Sequence, residues 1–194
     1  MTTGAGIWFT GLPGSGKSSV ARAVAESLAA TGRTVTLLSM DARRTAYVPN
    51  PEYTEAERET AYRMFAQEAA EAARRGEVVF LDATAHRKRW RDAARAMIPR
   101  FAEVHVSCPV SVAMAREAAR PEGQVMAGLY AKAIRRKTTG EAFAGLGEVV
   151  GVDAPFEADP AAECVLDAAK LTVEQSRDAV LRFLDGWLFD CDAQ

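Results

Sequence analysis

The chain has 194 residues, 48% of them hydrophobic, and a formal net charge of −2. That length suits one domain with a full core, and the slightly acidic balance (pI about 5.8) excludes a dominant nucleic-acid surface. No apolar run approaches the roughly 18 residues that span a membrane, no signal-peptide pattern opens the sequence, and Cys108, Cys164 and Cys191 form no metal or redox spacing, so a reduced, cytoplasmic protein with neither membrane nor nucleic-acid partners is expected.

Gly6–Thr10 reads as a buried strand, and Ser18–Ala30 as a helix with Val20, Val24 and Leu28 on one face. Between them Gly11-Leu12-Pro13-Gly14-Ser15-Gly16-Lys17-Ser18-Ser19 spells G-x-x-x-x-G-K-S in the strand–loop–helix context of a phosphate-binding loop. Glycines let the backbone wrap a phosphate chain with its N–H groups inward, and the helix N-terminus adds partial positive charge. Lys17 supplies a full charge to the β- and γ-phosphates of ATP, and the Ser18 hydroxyl is placed to ligate Mg²⁺. A second strand is predicted over Thr34–Ser39, with Asp41 following by a short turn and Arg44, Arg58 and Arg63 beyond it. Arginine forks suit phosphate or sulfate oxygens; a solvated helix face is the plainer reading, most of all for Arg63. A long helix is predicted over Thr54–Arg75, ended by Gly76.

The strand Val78–Asp82 ends in a Walker-B-type carboxylate. Asp41 and Asp82 therefore form a candidate pair, one to hold Mg²⁺ directly or through water and the other to accept a proton from an attacking hydroxyl. Which does which stays open, and either residue could instead be a helix cap or turn residue. The run His86-Arg87-Lys88-Arg89-Trp90-Arg91 reads as a solvated surface turn, because helical spacing scatters its charges. His105, within the predicted strand Glu103–Cys108, reads as packed rather than catalytic. Arg116 to Pro160 breaks the rhythm: it carries Arg116, Arg120, Lys132, Arg135, Arg136 and Lys137, a helical piece at Val125–Arg136, and then a run of glycines and prolines. Beside a phosphate loop such a segment reads as a lid that brings basic groups over ATP, Arg116 and Arg120 first among them; a solvated helix followed by a surface loop is the alternative. A last strand, Glu163–Asp167, precedes the helix Thr172–Trp187, where Thr172 and Gln175 form a capping box and Val173, Val180, Phe183, Leu184 and Trp187 share a face. Alternating strands and helices imply an α/β fold of the P-loop NTPase type: about five parallel strands with helices on both faces, a single domain over 1–194 with 116–160 as lid. Ligands in such sheets bind beyond the C-terminal strand ends, which gathers the loop, Asp41 and Asp82 along one edge.

With these residues in place the chain resembles the adenylylsulfate kinase (APS kinase) family, over nearly its whole length. The likeness rests on Gly11–Ser19, on Gly128-Leu129-Tyr130 with Lys132-Ala133, on Phe143-Ala144-Gly145-Leu146, on Pro155-Phe156-Glu157, and on Val165-Leu166-Asp167 with Lys170–Ser176. The resemblance implies phosphorylation of the ribose 3′-hydroxyl of adenosine 5′-phosphosulfate (APS) by Mg-ATP, in sulfate assimilation; a homodimer is left open. It also implies that Asp41 and Arg44 match the family's D-G-D-N-x-x-R stretch, that Tyr53 and Phe143 sandwich the substrate adenine, and that Arg58 meets the phosphosulfate. Stacking of a base on an aromatic face is worth roughly 1–3 kcal/mol. The chain departs from the family pattern at Ser39, Met40 and Ala42, at Ala61 where an asparagine is expected, at Ala127 where a lysine is expected, and at Thr84-Ala85-His86. Roughly seven residues are inserted between Leu146 and Pro155. These changes touch the acceptor side, so a kinase of the same fold acting on another hydroxyl, nucleotide-linked or otherwise, is the alternative.

Overall fold

The structure is a computed structural model, described here for residues 4–119 and 128–189. Five strands form one parallel sheet in the order β2-β3-β1-β4-β5: β1 (Ala5–Thr10), β2 (Thr36–Ser39), β3 (Val78–Asp82), β4 (Phe101–Ser107) and β5 (Cys164–Asp167). Each predicted strand is present, Val78–Asp82 with the expected bounds and the others with ends shifted by at most two residues. Strand β1 lies between β3 and β4, in register Phe9 with Asp82 and Phe9 with Val104. Its alternation divides the core. Trp8 faces a layer made with α3 (Glu55–Arg74) and α4 (Lys88–Met97), and Ile7 and Phe9 face α1 (Lys17–Ala30) and α7 (Val173–Leu184). The inner face of α3 is built of Ala61, Ala66, Ala69, Ala70, Ala72 and Ala73, with Tyr62 and Phe65 as its large members. Small side chains let this helix lie close: a Cβ on Gly4 would come within 2.2 Å of the Ala73 carbonyl.

Helices α3 and α7 start on capping boxes. Thr54 and Glu57 exchange bonds at the start of α3, and Thr172 and Gln175 do so at α7, as the sequence predicts for the second. Helix α7 ends at Leu184 and continues as a π-helical turn, Asp185–Phe189. Val173 is 38% exposed rather than part of the buried stripe. Phe183 and Trp187 are only partly buried and stack on each other.

Three expectations are corrected. No turn separates β2 from the next element: α2 (Met40–Tyr47) begins at once, and Asp41 sits in its first turn. The run 86–91 is no solvated turn. His86, Trp90 and Arg91 are buried, and Arg91 meets the buried Glu103 of β4 at 2.9 Å. The helix expected over Val125–Arg136 is α6 (Leu129–Thr139), stopped by Gly140 in the left-handed region; residues 125–127 lie outside the described residues. Helix α5 (Val110–Ala118), α6 and Val149–Val150 close a third apolar cluster over Leu12. No described helix is long and apolar enough to cross a membrane.

Candidate active site

The loop Gly11–Ser19 leaves β1 and enters α1 through Gly16 in the left-handed region. It is gripped from behind. A Cβ on Gly11 would lie 2.4 Å from the Val106 carbonyl, and one on Gly14 would lie 2.3 Å from that of Ala113. No other residue fits these two positive-φ positions. The Tyr130 hydroxyl donates to the Pro13 carbonyl at 2.8 Å. Arg116, expected over ATP, donates to the Ser15 carbonyl at 3.2 Å and to that of Ala168 at 2.6 Å. It fastens the loop to the β5–α7 connection, and its side chain lines a groove of about 380 Å³ with Gly14–Gly16, Ser19 and Leu171–Val173. Arg120 lies outside the described residues.

Beyond the strand ends Lys17, Ser18, Asp41 and Asp82 meet in a cleft of about 350 Å³. The Ser18 hydroxyl donates to Asp82 Oδ1 at 3.0 Å. Asp82 is 9% exposed. Burial pushes its carboxyl above the ordinary range; Lys17 and the Ser18 bond pull it down, and Asp41 adds to the rise. Asp41 is exposed. The same cleft takes Arg44, Tyr53, Arg58 and Tyr62 into its wall. The Arg44 guanidinium lies 5.3 Å from the Tyr53 ring centre and 6.0 Å from that of Tyr62. Arg58 donates from Nε to the Tyr53 carbonyl at 3.1 Å and from Nη2 to the Glu148 carbonyl at 2.5 Å. Burial, then the Arg44 charge, lowers its pKa, and Glu148 opposes this.

An outer compartment of about 220 Å³ continues past Tyr53 and Arg58, walled by Leu129, Lys132 and residues 144–149. Phe143 is partly buried beside it, with its carbonyl accepting from the Leu146 N–H at 3.1 Å. It is not among the walls of either compartment, so the expected two-ring sandwich is represented at the walls by Tyr53 alone. Arg63 is exposed on α3, and Ala61 is a core residue. Arg136 of the expected lid is committed elsewhere, to the carbonyls of Leu146 and Gly147 and to Asp153.

Sequence reasoning missed three contributors. Tyr62 presents its ring to the cleft, and its hydroxyl accepts from the Ala85 N–H at 2.9 Å. It thereby holds the Ala83–Thr84 floor, where Ala85 carries a positive φ of 38°. Its position on the inner face of an alanine-rich helix was the available signal. Arg91 donates to the Ala85 and Glu157 carbonyls and locks the same loop. Glu148, from the inserted stretch, lines both compartments.

The Adenylylsulphate kinase family model matches residues 3–167. A probable adenylyl-sulfate kinase of Archaeoglobus fulgidus is 32% identical over 84% of this chain and 96% of its own length. A probable bifunctional SAT/APS kinase 2 of Sorangium cellulosum is 34% identical over 92% of the chain, which spans only 28% of that longer relative. The Mycobacterium tuberculosis APS kinase CysC, solved in complex with AMPPNP and APS, superposes with a TM-score of 0.79 at 26% identity, covering 95% of this chain and 99% of that one. The chain belongs to the adenylylsulphate kinase family and has its P-loop kinase fold.

Proposed function

We propose that this member of the family is an adenylyl-sulfate kinase, transferring the γ-phosphoryl group of ATP to the 3′-hydroxyl of APS. The observation that carries this reading is one cleft in which the phosphate loop, a part-buried Ser18–Asp82 pair, an exposed Asp41 and two arginines converge.

Loop N–H groups and Lys17 bind the phosphates of ATP and hold them in line. Ser18 and Asp82 offer hard oxygens on one side of the loop, a donor set that fits Mg²⁺ completed by phosphate oxygens and water. When bound, the metal supplies neutralisation of the phosphate charge. Asp82, buried and already bonded to Ser18, belongs to that side. Asp41, open to the cleft, is the group positioned to take the proton from the acceptor hydroxyl as its oxygen bonds to the γ-phosphorus and the bond to the bridging β–γ oxygen breaks, leaving ADP. Arg44 and Arg58 bind the acidic end of the acceptor, and Tyr53 offers a ring face to its base. One observation favours the alternative of another hydroxyl: residues 147–150, from a stretch inserted relative to the family pattern, form part of the acceptor wall.

The test is product analysis. The protein is incubated with Mg-ATP and APS, and the products are separated and weighed by mass spectrometry. A 3′-phosphorylated product is expected. Its absence at millimolar APS, with ADP release on another nucleotide-linked hydroxyl compound, would assign the second reading.

A further inference from the structure

We propose that Glu148 is a specificity-determining residue: a built-in counter-ion of Arg58 that competes with the anionic group of the acceptor and sets how strongly the cleft holds it. This rests on the reading of the cleft as the acceptor site.

Two cations, Arg44 and Arg58, face the middle of the cleft from α2 and α3. The aspartates Asp41 and Asp82 belong to the phosphoryl end. Glu148 is the carboxylate residue shared by the inner and outer compartments, so it sits where the acceptor's acidic tail passes between them. Its backbone is fixed. The carbonyl receives Arg58 Nη2, Gly147 leaves only 2.2 Å between a notional Cβ and that of Tyr53, and Val149 next to it is buried with its N–H donating to Asp153 at 2.7 Å. The backbone therefore holds this residue beside Arg58, and its carboxylate charge favours the protonated guanidinium. Its Oε2 lies 3.8 Å from Nε2 of His86, a buried imidazole whose two nitrogens have no hydrogen-bond partner among the described residues. The carboxylate is 41% exposed. Its effect on Arg58 is exerted as charge.

A negative charge near a partly buried arginine reduces the attraction that arginine exerts on a second anion. Glu148→Gln keeps the shape and the carbonyl bond and removes the charge. The KM for APS is expected to fall about fivefold, the size of effect that a partly screened charge–charge interaction of about 1 kcal/mol produces. The KM for ATP is not expected to follow, and the difference should shrink as salt is raised. A second measurement does not depend on the acceptor's identity: with the phosphate loop saturated by Mg-AMPPNP, inorganic sulfate is titrated into both proteins by calorimetry, and the variant should bind it several-fold more tightly. An APS KM that rises would make Glu148 a hydrogen-bond acceptor for the substrate and overturn the proposal. Equal sulfate affinity in the two proteins would also overturn it. Tighter sulfate binding without turnover of APS would support it and transfer the failure to the choice of acceptor.

Discussion

His86 should make the protein lose stability between pH 6.5 and 4. The side chain is 1% exposed, it meets the Trp90 ring edge-on with centres 5.0 Å apart, and neither nitrogen has a hydrogen-bond partner among the described residues. Burial first, then the Arg58 and Arg87 charges, hold its pKa down to about 4; Glu157 opposes and Arg91 adds. An unfolded histidine titrates near 6.5. Between these values the unfolded chain binds a proton that the folded protein refuses. Stability is therefore complete above pH 6.5 and declines as the pH falls toward 4. Integrated from pH 7.5 to pH 5, the linkage has an upper bound of about 2 kcal/mol, and solvent screening on the open Glu148 side reduces it to about 1 kcal/mol. Urea denaturation of the parent and of His86→Phe at both pH values isolates this term, because the carboxylates and His105 titrate in both proteins. The variant should lose about 1 kcal/mol less on acidification. Equal pH dependence in the two proteins would refute a neutral, buried imidazole.

Lys17→Ala should lower phosphoryl transfer on the order of a thousandfold with an unchanged circular dichroism spectrum, since it removes a full charge from the transferring phosphate; near-normal turnover would exclude the kinase mechanism. Asp82→Asn should lower turnover about a hundredfold or more. It should melt no lower than the parent without nucleotide, because burial already disfavours the charge it removes. Glu103→Leu strands the Arg91 guanidinium in a site where the two side chains are 0% and 1% exposed, and should cost about 3 kcal/mol by urea denaturation. Gly147→Ala forces its Cβ against Tyr53. It should raise the acceptor KM while the KM for ATP holds, and steady-state kinetics with each substrate varied in turn would show it.

What was legible in the sequence is what depends on local pattern. The five strands are short apolar runs, and the phosphate loop is a contiguous motif whose neighbours are a strand and a helix, so its surroundings are set by its own residues. Helix α2 escaped because Met40-Asp41-Ala42-Arg43-Arg44-Thr45-Ala46-Tyr47 buries only Met40 and shows no apolar stripe to count. The basic run 86–91 was misjudged for a related reason. Arg91 is buried against a carboxylate on β4, and nothing in the spacing of either segment announces the other. Glu148 and Arg58 stand 90 positions apart. Their meeting depends on how α3 and the inserted stretch pack, which no periodicity encodes.

The two ends of the cleft are built by different physics, and that explains why family resemblance is firm at one end and loose at the other. The donor end is offered mainly by backbone N–H groups of one continuous loop. Its shape is pinned by close approach of Gly11 and Gly14 to carbonyls of other segments and by Arg116 and Tyr130 from behind. Side-chain substitutions nearby leave such a cradle in place. The proposed acceptor end is assembled from side chains on separate pieces: Arg44 on α2, Tyr53, Arg58 and Tyr62 at and along α3, Thr84 after β3, Leu129 on α6, and Glu148–Val150. Each piece is held by its own contacts, as Arg136 and Asp153 hold the inserted stretch. A few added residues can then place a new carboxylate and two buried valines against the acceptor without moving Lys17, Ser18 or Asp82. Acceptor preference is accordingly the property this arrangement leaves freest to diverge, and residues 147–150 are where the wall of the cleft departs from the family pattern.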